Sequence, residues 1–297
     1  MTLRAFFVTI HGESGHGDSG WWRKGDQVTS RTNMLSDFPA GRFFVLVFLF
    51  SVPFWAAGFL FKRFAEEMPI DLPASAFMAL VPGAVAIFLV RRDLGRERLL
   101  DFLHAAFTVG QPGKGVWYAV AFGFAPVAII LSYILLLITG APLPVTHLPL
   151  DVVPIFFVLF LIGALGEELG WQAYAYGPLR TRWNALQAAL VLGVIWMAWH
   201  IIPYFQTGHD IWWIVSQCLV IVMMRVIIVW IFVNAGNSTA AAVLFHAMSN
   251  MGVFLFPNYG THYNPLALAL VLAPAVAAIL FLWDAGTLSR YRFAERP

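Results

Sequence analysis

Glu167 and Glu168 stand side by side in the run Gly166-Glu167-Glu168-Leu169-Gly170-Trp171-Gln172. His200 closes the run Trp196-Met197-Ala198-Trp199-His200, with Pro203 behind it. His246 and Asn250 are four apart in a third apolar run, and Arg225 lies in a fourth. Two adjacent carboxylates away from water cannot both stay charged cheaply unless a cation is near. On a helix they point about 100° apart, so one can face a water while the other is held from behind. A glutamate so placed is a reasonable general base for water. Histidines arriving from other segments could hold a divalent metal with it, or orient the water and supply an oxyanion donor. His246 and Asn250 share a helical face, and the amide can hydrogen-bond a carbonyl, an intermediate or a histidine nitrogen. Together these residue types suit hydrolysis of an amide out of bulk water.

Each residue also has a plainer reading. A lone histidine in an apolar helix is more often packed and hydrogen-bonded than a ligand. Two buried carboxylates with two buried histidines also suit a proton or cation pathway. Gly163, Gly166 and Gly170 form a small face that lets helices approach closely. Trp171, Trp196 and Trp199 read as packing or interface residues, and Arg225 as a cation snorkelling to the interface or pairing structurally. Cys218 is the only cysteine, so an intrachain disulfide and a Cys₄ or Cys₂His₂ metal site are excluded. His11 and His16, in a Gly/Ser-rich stretch, read as polar residues of a tail rather than a metal tract.

The elements that must position these residues follow from composition. Of 297 residues, 60% are hydrophobic and 11% charged, with a mean hydropathy of +0.75. A soluble domain has about 45–50% apolar and about 25% charged residues. An ordinary soluble enzyme and a disordered chain are both excluded. The net charge of +2 gives no reason to expect nucleic acid as a partner. Apolar runs long enough to cross a bilayer lie at about 43–61, 72–90, 116–139, 152–176, 186–204, 212–233, 238–256 and 266–283. Pro73 and Pro82 predict a kinked or re-entrant second span. Asn234, Gly236 and Asn237 leave only a short turn between the sixth and seventh. Residues 91–106 mix Arg, Asp, Glu, Leu and Phe, as an amphipathic helix on the membrane surface would.

The expected fold is all-α, a polytopic integral membrane bundle of about eight helices. Arg23, Lys24, Arg31 and Arg42 precede the first span, and Arg91, Arg92, Arg96 and Arg98 follow the second. Arg180 and Arg182 follow the fourth, and Arg290, Arg292 and Arg296 the eighth. With eight spans all these clusters fall on one side, so both termini are expected in the cytoplasm. Residues 1–41 read as a mobile cytoplasmic tail, 42–284 as the membrane domain and 285–297 as a short cytoplasmic tail. On these boundaries Glu167 and His246 lie nine or ten residues from the cytoplasmic ends of their spans and His200 some fourteen. At 1.5 Å per residue His200 would sit several ångströms deeper. Tilt, or a helix start as late as 187–190, would close part of that gap.

Glu167-Glu168 with a polar residue four on, Trp196-x-x-x-His200 and His246-x-x-x-Asn250, in that order, resemble the CPBP family. This is the CAAX-protease and bacteriocin-processing and self-immunity family, also called type II CAAX prenyl endopeptidase-like. The resemblance covers about residues 150–256, the core of the membrane domain. It implies an intramembrane endopeptidase, a metalloprotease by the family's name, in a prokaryotic plasma membrane. Glu167 would activate water and Glu168 support it, with His200, His246 and Asn250 around the water and scissile carbonyl. Trp196 is the aromatic of the second motif. Zn²⁺ or another divalent cation at Glu167, His200 and His246 is one expectation, and a metal-free glutamate mechanism the other. The family's first motif ends in arginine where this chain has Gln172, which cannot neutralise Glu168. Arg225 is the candidate replacement. The expected partners are the lipid bilayer and a membrane-associated peptide or protein substrate, and oligomeric state is not indicated. The alternatives are an ion-coupled transporter and a non-catalytic membrane scaffold or self-immunity protein.

Overall fold

In the computed structural model, residues 40–60, 74–107, 113–144 and 151–293 are described. The tail expected over 1–41 lies outside them except for Ala40 and Gly41, which open the first helix. Lys62, Arg63 and the acidic residues after them, and the last four residues, also lie outside. The described chain is helical: α1 Ala40–Leu60, a 3₁₀ segment Ala74–Leu80, α2 Val81–Phe107, α3 Gly115–Ile138, α4 Val153–Glu168, a π-helical segment Leu169–Ala175, α5 Tyr176–Arg180, α6 Ala185–Gln206, α7 Ile211–Asn234, α8 Thr239–Phe254 and α9 Pro265–Leu282. Seven of these stretches are long and apolar enough to cross a membrane, Val153–Arg180 counting as one. The eighth, α8, has only 16 residues, fewer than the roughly 20 a full crossing needs. It runs through the interior of the bundle, shielded from lipid, packed chiefly on α3 and α4 with twelve of its sixteen residues buried.

Local sequence sets the helix ends. Asn184 and Gln187 form a reciprocal capping box at the start of α6. Asp210, Ser238 and Asn264 accept backbone N–H groups at the starts of α7, α8 and α9. The short turn between α7 and α8 is made by Gly236 and Asn237, both at positive φ, a region open to glycine and tolerated by asparagine. Pro82 falls where the 3₁₀ segment gives way to α2, so its missing N–H interrupts no regular helix. In α2, Gly95 (φ 84°, ψ 179°) separates an apolar half from an amphipathic one. Beyond it Leu99, Phe102 and Ala106 are buried on one face, while Arg96, Glu97 and Arg98 are exposed.

The small face of α4 docks on the second span. A Cβ added to Gly166 would lie 2.7 Å from the Ala79 carbonyl oxygen, and one on Gly170 would lie 2.6 Å from that of Pro82. Gly163, the third glycine of the stripe, is roomier; its nearest neighbour would be 3.9 Å away. On the other side Trp171 is edge-on to Phe43 and Trp199. These contacts hold the end of α4 between α1, α2 and α6. The described part of the C-terminal segment folds back on the bundle: Leu288 is buried, and its carbonyl accepts from Asn234 Nδ2 at 2.8 Å.

Candidate active site

The two glutamates occupy the last turn of α4, immediately before the π-helical segment. Consecutive positions on a helix diverge, and their environments differ accordingly. Glu168 is fully buried and has a partner on each oxygen. Arg225 Nη1 donates to Oε2 at 2.7 Å, and His246 Nδ1 lies 2.9 Å from Oε1. Glu167 instead borders a cavity of about 130 Å³ that His200, His246 and Asn250 also line. Its Oε2 accepts from Trp196 Nε1 at 2.5 Å.

Each partner comes from a different helix, so the site exists only in the assembled bundle. Arg225 stands mid-way along α7 with no exposed surface, and its guanidinium carbon is 4.1 Å from the centroid of the Trp196 ring. That distance suits a cation–π contact. Trp196 is edge-on to both His200 and His246, at 5.3 Å between centroids. Among the tryptophans read as packing residues, Trp196 therefore also anchors a carboxylate. Arg225 does not snorkel; a buried anion has drawn it inward, since unpaired burial of either charge would be costly. Gln172 is buried one turn beyond Glu168, with neither side-chain amide atom hydrogen-bonded within the protein. The positive charge beside Glu168 is thus supplied from α7 rather than from position 172.

His200 Nδ1 is 2.9 Å from the Trp196 carbonyl oxygen. A carbonyl only accepts, so Nδ1 carries the proton and Nε2 is the nitrogen free to act. The same logic applies to His246, whose Nδ1 faces the Glu168 carboxylate. The depth mismatch expected for His200 is resolved on the α4 side. Helix α6 begins at Ala185, earlier than expected, but the helical path from Glu167 runs on to Arg180 rather than ending at 176. The added residues carry Glu167 about 6 Å further from that end.

Among the described residues, no three His, Cys, Asp or Glu side chains are grouped so as to hold a metal ion. Glu167, His200 and His246 share the cavity, and each histidine has Nδ1 held by a carbonyl or a carboxylate with Nε2 left over, the setting in which an imidazole can also ligate a metal. These three are the residues that would hold a divalent cation if drawn together, and no step below runs through one. Polar residues of the cavity wall that the sequence did not single out include Tyr204, Gln217 and Tyr263. Two signals pointed to them: Tyr204 lies four residues after His200, and Gln217 interrupts an apolar run.

Residues 149–252 match a family model described as type II CAAX prenyl endopeptidase Rce1-like. That segment contains Glu167, Glu168, His200, Arg225, His246 and Asn250. A CAAX prenyl protease 2 from Methanococcus maripaludis is 27% identical over an alignment of 193 residues that covers 59% of this chain and 70% of that protein. The chain is homologous to this protease family, and its long apolar helices make it a multi-pass membrane protein.

Proposed function

We propose, on the premise of homology to the CAAX prenyl protease family, that this chain is an endopeptidase embedded in the membrane. Its substrate is a membrane-associated peptide or protein, and the relative's name points to prenylated tails as the class to try first. The observation that carries this reading is the division between the glutamates. Glu168 is neutralised behind the cavity by Arg225 and hydrogen-bonded there to His246, while Glu167 borders it with only Oε2 engaged. A scaffold or self-immunity protein would expect a cluster satisfied within itself; the open space beside Glu167 supports the hydrolase instead. The arginine clusters support an orientation with both termini in the cytoplasm.

In this reading Glu167 Oε1 takes a proton from a water as its oxygen attacks the scissile carbonyl carbon. The carbonyl electron pair moves to oxygen, and the Asn250 amide donates to that oxyanion. The second proton of the water is accepted by Nε2 of His200 or His246, and Glu168 keeps the His246 proton on Nδ1. The proton on Glu167 then passes to the leaving nitrogen as the C–N bond breaks. One water is consumed, and an acid and an amine are released. The test is hydrolysis of a quenched fluorescent peptide bearing a farnesylated cysteine near its C-terminus, beside the unmodified peptide. Glu167→Gln should abolish turnover while leaving the unfolding temperature near that of wild type. A folded variant that keeps its rate would remove Glu167 as the base.

A further inference from the structure

The cavity has a second polar wall that the hydrolytic steps leave unused. Tyr204 lies one turn beyond His200 on α6, and the two rings stack at 5.8 Å between centroids with 20° between planes. Gln217, in the second turn of α7, sits between two tyrosines. Tyr263 Oη donates to Gln217 Oε1 at 2.9 Å, and Gln217 Nε2 donates to Tyr204 Oη at 3.4 Å. All three residues line the same cavity as Glu167 and the histidines.

The direction of these bonds has a consequence. A side-chain amide has one acceptor oxygen and one donor nitrogen. The buried Tyr263 hydroxyl takes the oxygen, which turns the nitrogen toward Tyr204. Tyr204 Oη is then an acceptor in the chain, and its own proton is left for whatever occupies the cavity. A hydroxyl in such surroundings calls for an acceptor. No Lys or Arg lines the cavity, and Glu167 already brings a carboxylate to it. A neutral acceptor suits this wall better than a second anion. Ile129, Val220, Ile221 and Leu272 make the adjoining surface apolar. A carbonyl oxygen next to an apolar side chain, the repeating unit of a peptide, matches both.

We propose that Tyr204, oriented through Gln217 by Tyr263, donates its hydroxyl proton to a backbone carbonyl oxygen of the bound peptide, forming a substrate subsite one helical turn from His200. The peptide nature of the ligand rests on the hydrolase reading above.

Tyr204→Phe keeps the ring and its stacking on His200 and removes only the donor. The probe is the farnesylated peptide, made also with a single thioamide at each bond near the cleavage point and with its C-terminus amidated. Sulfur accepts hydrogen bonds poorly. At one position the thioamide should raise the wild-type KM by about tenfold, the order expected for one well-placed hydrogen bond. Tyr204→Phe should show a similar rise on the all-amide peptide and no further rise with that thioamide. Gln217→Met, which leaves Tyr204 intact, should reproduce part of the effect. Binding of the same peptides to the Glu167→Gln protein, followed by fluorescence anisotropy, repeats the comparison without turnover.

The subsite is overturned if a folded Tyr204→Phe protein matches wild type, or if it stays as sensitive as wild type to every thioamide. It is also overturned if amidating the C-terminus removes the dependence on Tyr204, since the acceptor is then a carboxylate. If wild type does not cleave but the peptide binds with Tyr204-dependent affinity, the hydrolase reading fails and the subsite stands. Neither cleavage nor binding overturns both.

Discussion

Arg225 reaches Glu168 from 57 residues away in sequence, with Nη1 2.7 Å from Oε2 and neither side chain exposed. The same guanidinium lies over Trp196, whose indole N–H holds Glu167. One cation therefore braces both carboxylates, one directly and one through an aromatic ring. Removing it leaves Glu168 buried without its cation, a loss of about 3–5 kcal/mol. Arg225→Met is expected to lower the unfolding temperature in detergent and to remove activity. Gln172→Arg in that background should recover part of both, because residue 172 is buried one turn beyond Glu168. Thermal unfolding and peptide turnover of the single and double variants check this. No recovery in either would show that position 172 cannot deliver a charge to Glu168.

The indole N–H of Trp196 is a hydrogen bond to a carboxylate, a kind worth about 1.5–3 kcal/mol. Trp196→Phe retains an aromatic surface for Arg225 and the histidines but frees Glu167 Oε2. Turnover should fall roughly 10- to 100-fold with little change in KM, since the base is misdirected rather than the substrate unseated. Steady-state kinetics separate the two. A rise in KM at constant kcat would assign Trp196 to binding.

Turnover is expected to persist after exhaustive treatment with EDTA and to gain nothing from added Zn²⁺. The glutamate mechanism proposed above requires this, because Glu167 and a histidine Nε2 on the cavity wall take up the two protons of the water without an ion. Loss of activity with the chelator and its return with zinc would mean that these side chains rearrange around an ion.

The glycine stripe of α4 and the π-helical segment after it should be unequal in its tolerance of a methyl group. Gly166→Ala and Gly170→Ala place a Cβ against backbone carbonyls of the second span, and overpacking of this kind costs about 1–3 kcal/mol. Gly163→Ala has room and should leave the unfolding temperature near wild type. Equal effects at all three positions would contradict the docking of α4 described here.

Much of this protein was legible before any coordinates. With 60% hydrophobic and 11% charged residues in runs of about 20, a membrane-spanning helical bundle satisfies the backbone within each span. The rarity of carboxylates in such runs singled out Glu167 and Glu168. The helix starts at Asn184, Asp210, Ser238 and Asn264 are set by local capping bonds that the structure shows. Residue types and spacing left the roles within the glutamate pair open, and only the family resemblance gave Glu167 the water, because adjacent residues on a helix differ only in what faces them. Tertiary packing decided that Glu168 meets Arg225 and His246, and that Glu167 meets Trp196 and the cavity. It likewise turned Arg225 from a candidate snorkelling cation into a buried counter-ion and brought Tyr204, Gln217 and Tyr263 into one chain. Composition and spacing act along the chain, where local rules suffice. Pairing across 57 or 78 residues depends on which helix faces meet, and only the packed bundle decides that.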